Sequence, residues 1–361
     1  MNILIDRESG EAAYLQLYRQ LRREIAEGVY PPGARLPSKR QLAAELGLSL
    51  ITVEHALALL VDEGCAVSRE RSGVYAGFGT APGADGAPRP PLPQKSLGDA
   101  PEDFPFSVFA RTMRRVLSDY GEGILVRSPG SGRQELREAL AAYLRRSRGL
   151  RVSPEQIVVG SGAEYLYGLV VQLLGREREY AQEEPCYEKI RRVYEANGAR
   201  CTGLRMGPDG IDPAALAASD AGVLHVTPYR SYPSGVTATA AKRREYAAWA
   251  REHRAYLVED DYDSELSAAL PQIETIASLA PERVIYLNTF SKTLAPSMRT
   301  GYMVLPEALL PDYREKLGFY ACTVPVYDQL VLAEFISSGE LERYINRRRR
   351  RLKQAEKESG M

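Results

Sequence analysis

Lys292 is placed for chemistry by its neighbours. It lies in Asn288-Thr289-Phe290-Ser291-Lys292-Thr293-Leu294-Ala295-Pro296-Ser297-Met298-Arg299-Thr300-Gly301, between the apolar runs Val284-Ile285-Tyr286-Leu287 and Tyr302-Met303-Val304-Leu305. Short apolar runs bounded by turn signals predict buried strands, which sets the lysine in a loop between two of them. A lysine amine whose pKa is lowered by desolvation forms a Schiff base with an aldehyde. Ser291 and Arg299 can hold a phosphate, the arginine through charge-assisted bonds. Gly301 lets the backbone approach closely. The set suits an aldehyde cofactor that bears a phosphate. A lone Ser-Lys pair is more often a surface lysine in a polar loop, but the apolar flanks and the upstream residues weigh against that here.

Two upstream stretches supply partners. Gln156-Ile157-Val158-Val159-Gly160-Ser161-Gly162-Ala163-Glu164 predicts a strand, a glycine turn and a helix start. Backbone N–H groups at a helix start bind anions. Most such glycine turns only save space, but on one chain with Lys292 the backbones of Gly162, Ala163 and Glu164 become the second half of a phosphate cup. Ala255-Tyr256-Leu257-Val258-Glu259-Asp260-Asp261-Tyr262-Asp263-Ser264-Glu265 predicts a buried strand ending in carboxylates. Ligands bind at that edge of an open α/β sheet. An acid facing a pyridine nitrogen keeps it protonated, which makes the ring an electron sink. Consecutive acids are usually a solvated cluster; the apolar strand before these ones argues otherwise.

The pattern Ser-Lys-x-x-x-Pro-x-x-Arg-x-Gly at 291–301 resembles the cofactor-lysine motif of fold-type-I pyridoxal 5'-phosphate (PLP) enzymes. Glu-Asp-Asp-Tyr-Asp-Ser-Glu at 259–265 resembles that of MocR-type regulators, which fuse a GntR-type DNA-binding domain to an aminotransferase-like domain. The resemblance implies that Lys292 holds the cofactor, Asp260 pairs with the ring nitrogen and Tyr262 bonds the phenolic oxygen, with Asp261 the alternative to Asp260. Glu184-Pro185-Cys186-Tyr187 resembles the family's Glu-x-Pro-x-Tyr, so Tyr187 would stack on the ring; an ordinary buried tyrosine is the bland alternative. Gly132 through Leu136-Arg137-Glu138-Ala139 to Tyr143-Leu144 also follows the family pattern. Where the family often has Ser-His-Gln after a strand-ending proline, this chain has Tyr229-Arg230-Ser231. His225, just upstream, is most simply a strand residue.

Residues 1–76 are predicted to form a separate domain. Tyr14, Leu15, Leu17, Tyr18, Leu21 and Ile25 recur at helical spacing. Ser38 and Ser49 suit helix N-caps, and Gly47 suits a stop between the two helices. Cys65–Ser68 and Val74–Ala76 would form a two-stranded wing. The segment resembles the winged helix-turn-helix of GntR-type regulators, through Leu-Pro-Ser-x-Arg-x-Leu-Ala and Ser-x-x-Thr-Val. That implies DNA contacts from Arg35, Ser38, Arg40, Ser49, Thr52 and Gly73, divided between backbone positioning and base readout. The family usually places Arg after the capping serine; here it is Leu50, which removes a guanine reader. Acidic and basic residues of 1–76 nearly cancel, nine Lys/Arg against ten Asp/Glu. Weak non-specific DNA affinity and reliance on a homodimer follow.

Composition agrees with a globular, cytoplasmic chain: 44% hydrophobic, 26% charged, no apolar run of membrane-spanning length and no signal peptide. Scattered cysteines and three dispersed histidines give no metal-ligand spacing. The expected organisation is a DNA-binding domain at 1–76, a Pro/Gly/Ala-rich linker at 77–102 and an α/β aminotransferase-like PLP domain with a mostly parallel sheet at 103–361. The resemblance implies that the family's C-terminal small domain, which supplies an arginine for a substrate carboxylate, is missing. It also implies that a position near Val126 replaces a tyrosine reaching the partner subunit's phosphate. The expected function is a PLP-dependent transcriptional regulator that binds a double-stranded operator and senses a small amine or amino acid by aldimine exchange at Lys292. The alternatives are a working aminotransferase, a DNA-binding protein with a vestigial cofactor domain, and a degraded, poorly folding gene product.

Overall fold

Leu17, Leu21 and Ile25 lie buried on one stripe of α1 (Ala13–Ala26), as their spacing requires. The computed structural model of the chain describes residues 5–6, 10–69, 72–77, 104–267 and 274–358. Its contacts divide it into two units, Met1–Ser96 and Leu97–Met361. Apart from Gly77, the expected linker lies outside the described residues.

In the first unit α2 (Lys39–Leu46) and α3 (Leu50–Asp62) follow α1. The Ser38 hydroxyl accepts the Gln41 N–H at 3.2 Å, and the Ser49 hydroxyl accepts the Thr52 N–H at 3.1 Å. Such caps satisfy orphan donors and each contribute about 1 kcal/mol. Gly47 ends α2 at φ 62°, a left-handed conformation that favours glycine. Leu42, Val53, Leu57 and Leu60 join the α1 stripe in one core. β1 (Ala66–Arg69) and β2 (Gly73–Ala76) pair antiparallel from Ala66↔Ala76 to Arg69↔Gly73. This is the helix-turn-helix with a two-stranded wing.

The second unit runs α4 (Phe106–Tyr120), α5 (Gln134–Arg148), β3 (Ile157–Gly160), α6 (Ala163–Leu174), β4 (Glu179–Glu184), α7 (Glu188–Ala196), β5 (Arg200–Gly207), β6 (Gly210–Ile211), α8 (Pro213–Ala217), β7 (Val223–Val226), α9 (Ala240–Glu252), β8 (Tyr256–Asp260), α10 (Ile276–Leu279), β9 (Val284–Thr289), α11 (Phe290–Thr293), β10 (Gly301–Val304), α12 (Leu310–Leu317), α13 (Val326–Ser337) and α14 (Glu340–Glu358). The sheet order is β3-β10-β9-β8-β7-β4-β5-β6. The central pairs β9/β8, β8/β7, β7/β4 and β4/β5 are parallel, while β10 is antiparallel to both its neighbours.

Strand residues alternate between two apolar layers, as a sheet covered on both faces requires. Leu224, Val226, Leu257 and Tyr286 pack into the layer that holds α5, α9 and α13 residues. Val223, Val258, Ile285, Leu287 and Met303 pack into the layer of α6, α7 and α12. This α/β sheet with helices on both faces is the scaffold that sets the site.

Candidate functional site

Strand direction gathers the site at one sheet edge. β10 is antiparallel to both β3 and β9, so β3 runs parallel to β9 and with the central strands. The turn after β3, the end of β8, the segment after β9 and the approach to β10 therefore share an edge, where open α/β sheets bind ligands. Gly162, Asp260, Lys292 and Arg299 occupy those four places.

Lys292 lies on the single turn of α11, rather than in the open loop expected from sequence. Thr289 caps the turn, its hydroxyl accepting the Ser291 N–H at 3.3 Å. Thr293 donates to Glu265 Oε2 at 2.7 Å, and the Ser291 hydroxyl to the Met298 carbonyl at 3.0 Å. Phe290 and Thr293 take the buried positions of the turn, which leaves Lys292 exposed. The desolvation expected for its amine is thus not provided by the chain's own packing.

Gly162 and Arg299, the two halves of the expected phosphate cup, come together. Gly162 has φ 92°, and a Cβ there would come within 3.3 Å of Arg299 Nη2. Glycine thus lets the guanidinium close over the N-terminus of α6, whose first N–H groups have no partner within the helix. Arg299 Nη2 is 3.6 Å from Glu164 Oε2, and Glu164 Oε1 accepts Lys189 Nζ at 2.9 Å. Ser291, bonded to the carbonyl of Met298, is held beside Arg299 in the chain. A cavity of about 290 Å³ lined by Phe109, Met113, Ser161 and Tyr327 adjoins Arg299.

The acidic run is sorted by the period of the strand. Glu259 and Asp261 face one layer and Asp260 the other. Glu259 accepts the N–H groups of Ile276 and Ala277 at 2.9 and 2.8 Å; burial, and then Asp261, push its carboxyl up to about 7. Asp261 Oδ2 pairs with Arg148 Nη2 at 2.8 Å and accepts the Tyr286 hydroxyl at 2.6 Å. Asp261 is therefore neutralised within the fold.

Asp260 is 3% exposed and accepts the Tyr167 hydroxyl through Oδ2, which lies 3.7 Å from His225 Nε2. Its Oδ1 is buried without a hydrogen-bond partner. Burial, then Asp260, raise the Tyr167 pKa well above the usual tyrosine value, so Tyr167 stays a neutral donor. An unpaired buried carboxylate oxygen is costly and calls for a donor. A protonated ring nitrogen is such a donor, so Asp260, the Gly162–Arg299 cup and the exposed Lys292 amine fit a phosphorylated pyridine aldehyde.

Two tyrosines expected at the cofactor contact groups of the chain itself. Tyr262 donates to the Arg230 carbonyl at 3.2 Å; burial, then Asp263 and Asp260, push its phenol up to about 12. Tyr187 is 45% exposed, its ring edge-on to Tyr232 at 6.0 Å and under Lys189 Nζ at 5.8 Å. Tyr187 is thus not an ordinary buried tyrosine, and among the described residues its ring meets Tyr232 edge-on.

Sequence reasoning missed Tyr167, His225 and Arg148. His225 is buried on β7, with Nδ1 2.7 Å from the Tyr194 hydroxyl and Nε2 toward Asp260. Their only sequence signal is period. Tyr167 lies one helical turn after Ala163, and β7 alternation sends His225 to the face of Asp260. The five consecutive arginines 347–351 on α14 also take part. Arg348 donates to the Thr293 carbonyl at 3.3 Å and Arg349 to the Glu265 carbonyl at 2.6 Å, so α14 braces the Lys292 turn.

Glu183 is a further buried carboxyl, at the end of β4, accepting the Ser231 hydroxyl at 2.5 Å. Burial pushes it up to about 8. A raised carboxyl pKa means the folded chain holds the proton more tightly than the unfolded chain. Its stabilisation is full below about pH 4.5 and is lost as pH rises through 8. Glu183→Gln is expected to flatten that decline and to raise the melting temperature over the parent at pH 8, with the gap closing near pH 5. Thermal unfolding at the two pH values checks this; equal gaps would sink it.

In the first unit, Arg35 lies against the wing: a Cβ on Gly73 would meet Arg35 Nε at 3.1 Å. Arg35 and Arg40 are exposed. Ser38 and Ser49 spend their hydroxyls on capping, and Thr52 shares its own with Ser49 at 2.8 Å. Leu50 and Ile51, 50% and 78% exposed, are the first two residues of α3.

The profile described as "Bacterial regulatory proteins, gntR family" matches residues 13–76, and "Aminotransferase class I and II" matches 102–358. The chain is 34% identical to the uncharacterized HTH-type transcriptional regulator YdeL of Bacillus subtilis, over 93% of this chain and 76% of that protein. It is 32% identical to the pyridoxine biosynthesis regulator PdxR of Corynebacterium glutamicum (93% and 75%) and 30% to the probable rhizopine catabolism regulatory protein MocR of Rhizobium meliloti (96% and 76%). Among solved structures it is similar to LysN, an α-aminoadipate aminotransferase of Thermus thermophilus complexed with N-(5'-phosphopyridoxyl)-L-leucine. That match has 29% identity and a TM-score of 0.62, covering 70% of this chain and 65% of LysN. An archaeal alanine:glyoxylate aminotransferase matches at 25% identity and TM-score 0.62, covering 68% and 63%. The chain thus spans under two thirds of these two aminotransferases.

Proposed function

This chain belongs to the GntR-type helix-turn-helix transcriptional regulators that carry an aminotransferase class I and II domain, and from that premise we propose that it is a cytoplasmic homodimer in which a small amine or amino acid, captured at Lys292, changes affinity for a DNA operator. The cofactor is pyridoxal 5'-phosphate, which when bound supplies an aldehyde and an electron-withdrawing ring. Lys292 would hold it covalently. Asp260, backed by Tyr167, would keep the proton on the ring nitrogen. The first N–H groups of α6, with Ser291 and Arg299, would take the phosphate. Tyr262 would turn from the Arg230 carbonyl to the phenolic oxygen, and Tyr187, exposed at the mouth, would cover the ring.

The observation that carries this reading is the unpartnered, buried Asp260 Oδ1 on the same sheet edge as Lys292 and the Arg299 cup. Exposed Phe106, Leu117, Leu125 and Val126 on and after α4 offer an apolar surface suited to a second copy. The exposed front of α3, with Arg35 and Arg40, would contact double-stranded DNA. A ligand can shift operator affinity only if it binds the two states unequally.

The test is the visible absorbance of purified protein with PLP, before and after borohydride reduction, with the labelled peptide mapped. Label on Lys292, together with an amine-dependent change in operator binding, is the expected result. Operator binding indifferent to PLP and to every amine would leave a DNA-binding protein without a sensor.

A further inference from the structure

α2 and α3 form the helix-turn-helix, joined through Gly47, Leu48 and Ser49. In such a motif the second helix enters the major groove, and its N-terminal residues reach base edges. What α3 can read there is restricted by its composition. Over Leu50–Asp62 it holds no Lys, Arg, Asn or Gln. It therefore lacks every side chain that pairs bidentately with guanine or adenine.

The polar groups of its first turns are engaged within the chain. The Thr52 hydroxyl shares a hydrogen bond with the Ser49 hydroxyl at 2.8 Å, and Ser49 also accepts the Thr52 N–H. Glu54 accepts Lys39 Nζ at 3.0 Å. The His55 ring stacks on Tyr14, with 4.1 Å between centroids. Leu50 and Ile51 remain, adjacent and both exposed. Single exposed aliphatic residues are ordinary, but two together at the front of a helix make an apolar tip. The same unit exposes Arg40 on α2 and Arg35 beside the wing, cations suited to a phosphate backbone. A partner that sets an apolar spot among anions fits both features. In the major groove that spot is the C5-methyl group of thymine, and the phosphates beside the groove are the anions.

We propose that Leu50 and Ile51 are the base-reading residues of α3, and that they read thymine through its C5-methyl group. The operator then carries thymine opposite the front of α3. This deepens, and rests on, the reading of the first unit as DNA-binding. Specificity comes from apolar surface closed to water between methyl and side chain, while Arg35 and Arg40 add affinity without reading sequence.

The experiment selects duplexes from a random pool with the full chain, at one fixed salt concentration. Each thymine of the best duplex is then replaced in turn by deoxyuridine, which removes the methyl and keeps the base pair. At a thymine facing Leu50 or Ile51, affinity is expected to fall roughly 3- to 10-fold, the range for one buried methyl and the surface it covers. Leu50→Ala combined with Ile51→Ala is expected to bind the thymine and deoxyuridine duplexes alike. Both side chains are exposed, so this variant should melt with the parent. Arg40→Ala is expected to weaken both duplexes by the same factor, as loss of a phosphate contact does. Deoxyuridine without effect at every thymine overturns the proposal and leaves DNA binding standing. A methyl effect undiminished in the double variant overturns it too, as does a cytosine preference that Glu54→Gln abolishes, which would make Glu54 the reader. A chain that retains no duplex from the pool fails earlier, at DNA binding itself, and so is told apart.

Discussion

Lys292→Ala is expected to abolish borohydride trapping of PLP on the chain and, with it, any effect of amines on operator binding. The loss should be complete, because Lys292 is the amine on the turn between the Arg299 cup and the acidic edge. Stability should change by no more than about 0.5 kcal/mol, since the side chain is exposed and Phe290, Thr293 and the Thr289 cap hold the turn without it. Folding and DNA binding therefore serve as internal controls. Reduction with borohydride followed by peptide mapping checks the result. A pyridoxyl group found on another lysine of the parent, or retained in the variant, would move the cofactor elsewhere.

Arg148→Ala is expected to have the largest effect on stability, about 3–5 kcal/mol, the range for breaking a buried ion pair from one side. Burial works against the Arg148 charge, yet Asp261 and nearby Tyr286 and Glu265 hold it, so its pKa lies well above the usual arginine value. Without the guanidinium, Asp261 keeps the Tyr286 hydroxyl but loses its counter-charge in a site closed to water. Ser264, which Arg148 also contacts, would lose that partner, loosening the segment that carries Tyr262 and Asp263. Asp260→Asn supplies the contrast. It preserves an acceptor for Tyr167, so it should melt close to the parent while binding PLP more weakly. Denaturant unfolding of both variants checks the pair; the opposite order would mean that Asp261, not Asp260, faces the cofactor.

That contrast marks how far the sequence could be read. The run at 259–265 left Asp260 and Asp261 as alternatives because adjacent acids look alike in a string. Alternation along β8 separates them, and Arg148, more than a hundred residues upstream, decides which is neutralised. Gly162 and Arg299 could be picked out because each sits in a local pattern with its own physical reason, a glycine turn before a helix and an arginine after a lysine. The exposure of Lys292 was not. Apolar strands on both sides predicted a desolvated amine, but burial on the turn is taken by Phe290 and Thr293. Tyr187 was a candidate on its motif alone, whereas its pairing with Tyr232 came from a loop with no sequence signal linking the two.

The sequence by itself determined the two kinds of unit, the capped helices and wing of the first, the alternating helices and strands of the second, and the residues able to meet an aldehyde, a phosphate and a ring nitrogen. These follow from local periods, caps and side-chain chemistry, which are written residue by residue. Only the tertiary structure decided that β10 runs against its neighbours and so brings Gly162, Arg299 and Lys292 to one edge. It alone decided that Tyr167 and His225 stand behind Asp260, and that Arg230 faces Asp263. Those contacts join residues far apart in the chain, and a contact of that kind depends on strand order and on which neighbour reaches a buried charge first.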